Sequence, residues 1–150
     1  MTRYMTAGAA ALATTLALGT AALADATPDL RGTWAGSYTT VSPSRTATGD
    51  VPRFNNAEWV LHIEKQQDNV FWGPSKWRRA ASEDWTFYDA TGSVSLDGSG
   101  KIGIVESSAD PTIGVNALID ARYEDGKIYA DFRSLRNGTT YSTVLERQVN

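Results

Sequence analysis

The chain has 150 residues, with 14 basic and 17 acidic side chains and a net charge of −3. That is one domain's worth of chain, and without a basic excess it carries no nucleic-acid footprint. It has no cysteine, which excludes disulfides, thiol catalysis, cysteine–zinc sites and a lipidated cysteine, and its single histidine leaves no His-rich metal site.

Residues 1–24 read as a secretory signal peptide. Arg3 charges a short n-region, Thr6 to Ala21 is an uncharged Ala/Leu-rich stretch, and Ala22-Leu23-Ala24 is a small-x-small cleavage site. The expected mature domain is 25–150, exported to the periplasm or the extracellular space. Removing Arg3 leaves 13 bases against 17 acids, a net of −4, and no second apolar run long enough to span a membrane follows. The oligomeric state is not encoded in any pattern of the sequence.

Beyond the signal, no helical period survives. Short alternating runs separated by turn residues predict eight strands. The first is Leu30 to Tyr38, with Trp34, Gly36 and Tyr38 on one face, and the second is Glu58 to Lys65, with Trp59, Leu61 and Ile63 on one face. Val70 to Arg79, Trp85 to Leu96 and Lys101 to Glu106 follow, the last entered through the turn Asp97-Gly98-Ser99-Gly100. The sixth strand puts Ile113, Val115, Ala117, Ile119, Ala121 and Tyr123 on one face. Glu124-Asp125-Gly126 turns into Lys127 to Leu135, and Asn137-Gly138 into Thr140 to Arg147.

Eight hairpin-connected strands suit an all-β, antiparallel up-and-down barrel, which closes on itself and leaves no free edge; a sandwich is the alternative. The connections after strands two, four and six are short. Those at the other end include Thr39 to Ala57, 19 residues rich in Ser, Thr and Pro, where a typical loop has about 4–6. The short-turn end is the expected floor and the other end the mouth.

Gly32-Thr33-Trp34 on the first strand and Arg147 on the last both fall at the floor, where first and last strands are neighbours in a closed barrel. This combination resembles the calycin superfamily, which contains the lipocalins and avidins. The resemblance implies an eight-stranded barrel with a cavity entered at the mouth, and a structural stack of the Arg147 guanidinium on the Trp34 indole. The avidin biotin-binding Asn is not matched: Ala35, Gly36 and Ser37 stand there.

Ala117, Ala121 and Ala130 leave interior space that Trp72, Phe87 and Phe132 could fill from opposite. Around the mouth the expected ligand-binding residues are Tyr38, Phe54 in the long loop, Trp59, Trp77, Arg79, Trp85 and Tyr141. Aromatic walls suit planar or cyclic ligands, and the Lys76-Trp77-Arg78-Arg79 cluster, with Arg53 and Arg133 approaching, suits an acid group. His62 falls on the outward phase, and so do Asp120 and Asp131, expected to pair with Arg122 or Arg133. No catalytic set, metal site or cofactor motif emerges. The leading function is therefore binding or sequestering an anionic small molecule with a planar or apolar body. The alternatives are a lyase, isomerase or cyclase using Tyr88, Tyr141 or His62 as acid or base, and an inhibitor of a secreted protease acting through an Asp25 to Asp29 arm.

Overall fold

The computed structural model describes residues 27–43, 51–110, 112 and 114–149, so the expected signal peptide and its cleavage site lie outside the described residues. Nine strand segments follow one another: β1 (Gly32–Ser42), β2 (Arg53–Ile63), β3 (Lys65–Gln67), β4 (Val70–Arg79), β5 (Thr86–Val94), β6 (Lys101–Ser107), β7 (Val115–Glu124), β8 (Lys127–Ser134) and β9 (Thr140–Arg147). Each pairs antiparallel with its sequence neighbour, except that β2 and β3 both pair with β4, and β1 pairs with β9. Because β2 and β3 are one interrupted strand, the result is a closed eight-stranded up-and-down barrel.

The interruption falls where the register slips. Leu61 pairs with Ser75 and Lys65 with Trp72, so three residues of one strand face two of the other. This is a bulge, and it falls opposite Gly73 and Pro74. Proline has no N–H for the ladder and is tolerated in a sheet at such irregularities.

Alternation fills the lower barrel. Trp34, Leu61, Ile63, Ile104, Ile119, Ile128 and Leu145 are each no more than 2% exposed. Three expected inward residues are turned elsewhere. Trp72 (45% exposed) and Phe87 (65%) lie outside because Phe71 and Tyr88, one residue away, take the inward phase. Val115 (43%) is displaced by a bulge in β7, where the register shifts opposite Glu106 and Ser107.

The expected 19-residue loop is also corrected. The β1–β2 ladder continues without slip to Ser42↔Arg53. Thr39 Oγ1 donates to Asn56 Oδ1 (3.0 Å) and Thr40 Oγ1 to the Asn55 carbonyl (3.3 Å). Residues 39–42 and 53–57, nine of the nineteen, are therefore hairpin strand, with the Thr39 and Thr40 hydroxyls bonded across to the partner strand. Only 43–52 connects the strands, and 44–50 of it lies outside the described residues.

The floor is latched as the motif suggested. The Arg147 guanidinium lies 4.6 Å from the Trp34 ring centroid and donates to the Asp29 carbonyl (2.6 Å). Trp34 Nε1 donates to the Leu30 carbonyl (2.7 Å), Leu30 N–H to Gln66 Oε1 (2.8 Å), and Gln66 Nε2 to the Pro28 carbonyl (2.8 Å). Leu30 is fully buried. Residues 28–30 therefore plug the floor and are not a free arm. Replacing Arg147 by Ala is expected to lower stability by about 1 kcal/mol in chemical denaturation, from the lost stack and latch.

On the outer wall, Asp120 pairs with Arg133 (2.6 Å) as expected. Arg122 donates instead to Glu124 (2.6 Å), two residues along the same strand, and Asp131 accepts from Ser142 Oγ (2.5 Å), its cross-strand partner. His62 is exposed, its Nδ1 2.9 Å from Thr33 Oγ1.

Candidate functional site: the mouth cavity

The mouth end opens into a cavity of about 390 Å³. Its walls come from β1 and β2 (Tyr38, Thr40, Ser42, Asn55, Ala57), β4 and β5 (Trp77, Arg79, Tyr88), the start of β7 (Asn116) and β8–β9 with their connection (Phe132, Ser134, Arg136, Asn137, Thr139, Tyr141).

One wall is a stack of three rings. Tyr141 lies between Tyr38 and Phe132, with centroids at 3.7 and 4.4 Å and both interplanar angles 13°. These residues sit on β1, β9 and β8, adjacent strands at the barrel closure, so the inward phase of each delivers a ring at the same height. Burial pushes the Tyr38 hydroxyl up to about 12 and Tyr141 well above the ordinary tyrosine value. Both phenols are therefore neutral at physiological pH and serve as hydrogen-bonding groups rather than as anions.

Arg79, exposed at the end of β4, and Arg136, exposed after β8, form the rim. Among the described residues neither makes an ion pair. A planar guanidinium in this setting is suited to a carboxylate, sulfonate or phosphate.

Beneath the cavity lies a polar cluster that the sequence reading missed. Glu106 has no exposed surface. Its Oε1 accepts from Trp59 Nε1 (3.0 Å) and from the Ser75 hydroxyl, and its Oε2 accepts from Asn116 Nδ2 (3.5 Å). Burial pushes its carboxyl up from the usual range, while the Ser75, Trp59 and Asn116 donors pull it back in part. A signal was present: Glu106 continues the Ile102, Ile104 inward phase, an acid at the end of an apolar face. Asn116 could not be found by alternation, because the β6–β7 register shifts there: Glu106 pairs with Ala117 and Ser107 with Val115. The extra residue turns Asn116 inward, to 6% exposure.

Of the residues expected from sequence, Tyr38, Trp77, Arg79 and Tyr141 line the cavity together. Trp59 is 1% exposed and lies below it, holding Glu106. Phe54 is on β2, not in a loop; it pairs with Val41 and is 71% exposed on the outward phase, since Asn55 and Ala57 take the inward one. Trp85 precedes β5 and lies against Lys76 Nζ (4.5 Å) and the Arg78 guanidinium (4.6 Å), both outward residues of β4. Arg133 points outward to Asp120, and Arg136 takes the rim position. Tyr88 lines the cavity, whereas His62 is remote from it. No group of three or more His, Asp or Glu side chains that could hold a metal occurs among the described residues.

Comparison of the chain with protein-family models, with curated proteins and with solved structures finds no match.

Proposed function

We propose that this is an exported small-molecule-binding barrel whose mouth cavity takes an anionic ligand with a planar body. The observation that carries the reading is the cavity itself: about 390 Å³, with a three-ring wall and two rim arginines. Stacked on one another, the three rings offer a ligand their edges and the outer faces of Tyr38 and Phe132, rigid contact area at little entropic cost, and the arginines offer a counter-charge where solvent is still accessible. Export is supported by the composition of residues 1–24. The calycin resemblance rests on the barrel topology and the Trp34–Arg147 floor stack.

The probe is 2-naphthoate, a fused-ring carboxylate, titrated by calorimetry. Binding to the wild type is expected, with affinity falling about tenfold in Arg79→Ala/Arg136→Ala as a charge-assisted contact is lost. Equal affinity of wild type and double variant would remove the rim from the site.

Glu106 favours a second reading, an enzyme transferring protons in the same cavity. A buried carboxyl shifted upward beside a pocket is a general-acid arrangement. Turnover of a bound ligand that stops in Glu106→Gln while binding persists would select this reading.

A further inference from the structure

We propose that Asn116 and Glu106 form an inner polar subsite that selects ligands carrying a hydrogen-bond donor at the end opposite their acid group. The assignment rests on the mouth cavity being a ligand site, and it adds a second recognition point to the rim.

The geometry runs from the buried carboxyl outward. Trp59 Nε1 can only donate, and it occupies Glu106 Oε1 together with the Ser75 hydroxyl. That leaves Oε2 toward Asn116, whose Nδ2 is directed at it. An amide with its nitrogen directed at a carboxyl turns its carbonyl oxygen the other way, and Asn116 is part of the cavity wall. Among the described residues no donor reaches that oxygen, and no side-chain nitrogen or oxygen is buried without a partner. The Asn116 oxygen is therefore an acceptor offered to the cavity. Asn116 is only 6% exposed and Tyr141 7%, so water reaches this oxygen through the cavity. A ligand that covers this acceptor without supplying a donor strips its water and leaves it unpaired, which is the costly arrangement.

The β-bulge at the start of β7 supports the same assignment. Regular alternation would place Val115 inward and Asn116 outward; the shifted register reverses this and puts an amide where a valine would stand. Bulges commonly re-aim a side chain next to a functional site. The ligand class is then a planar acid with a distal O–H or N–H group: a hydroxy- or amino-substituted aromatic acid.

Three probes separate the possibilities by calorimetry on the wild-type protein. These are 2-naphthoate, 6-hydroxy-2-naphthoate, which adds a donor at the far end, and 6-methoxy-2-naphthoate, which adds an acceptor only. The expected order is hydroxy about tenfold tighter than unsubstituted, with methoxy weakest. Asn116→Leu is expected to erase the preference for the hydroxy probe. Equal binding of hydroxy and unsubstituted probes, or tighter binding of the methoxy probe, overturns the subsite and leaves the cavity's binding role standing. Failure of all three to bind overturns the binding role and the subsite with it. The wild-type ranking decides even if Asn116→Leu does not fold.

Discussion

Gly73→Ala is expected to destabilise the barrel by about 3 kcal/mol or more, a large share of the stability of an ordinary domain. A Cβ at this position would stand 1.9 Å from the His62 carbonyl oxygen and 2.8 Å from the Glu64 nitrogen. Both are backbone atoms of the bulged strand, so no side-chain rotation can clear them. The strand would have to move, and with it the Glu64 N–H bond to the Trp72 carbonyl (3.1 Å) that carries the ladder past the bulge. Gly103→Ala is the matched control. It is also a strand glycine, but a Cβ there meets nothing within 4 Å, so its effect should stay within about 1 kcal/mol. Urea denaturation of both variants checks the pair, and similar midpoints would contradict the close approach at Gly73.

The second large effect concerns Glu106. Glu106→Ala strands the Trp59 indole and the Ser75 and Asn116 donors in a buried site, and should cost about 3 kcal/mol. Glu106→Gln keeps an acceptor and removes the buried ionisable group. The two should differ in pH dependence as well. Burial raises the Glu106 carboxyl in the folded state above its ordinary value of 4.5. The folded state therefore holds this proton more tightly than the unfolded one. Below the unfolded value both forms are protonated and the stabilisation is fully present. As pH rises from about 4.5 through the folded-state value, the unfolded chain releases the proton first, and stability falls. Denaturation midpoints measured from pH 4 upward should show this decline in wild type and not in Glu106→Gln. Identical profiles would mean that Glu106 titrates as an ordinary carboxyl.

Much of the barrel was legible in the sequence because one-face burial enforces a period of two. The strands Val70–Arg79 and Thr140–Arg147 begin and end where the alternation places them. The floor was legible too, since Gly32, Trp34 and Arg147 meet only if the first and last strands are neighbours. The errors cluster where the period breaks. Val115 and Asn116 exchanged roles because a bulge adds one residue to the ladder, which alternation cannot register. Trp72, Phe87 and Phe54 were read as interior or mouth residues for their size, although each stands on the outward phase. Thr39 to Ser42 looked like loop because their hydroxyls suit turns, yet here hydroxyls of this segment bridge to Asn55 and Asn56. Glu106 was passed over because a carboxylate on an apolar face is improbable until its donors are known, and those come from β2, β4 and β7.

Binding of a planar anion in the mouth cavity, as proposed, is checked by mapping amide and indole N–H chemical shifts as 2-naphthoate is added to the isotopically labelled protein. The prediction is that shifts concentrate on Tyr38, Trp77, Asn116 and Tyr141, with the Trp77 indole moving while those of Trp72 and Trp85 stay in place. No shifts at saturating probe, or shifts centred on Trp72 or Trp85 on the outer wall, would contradict it.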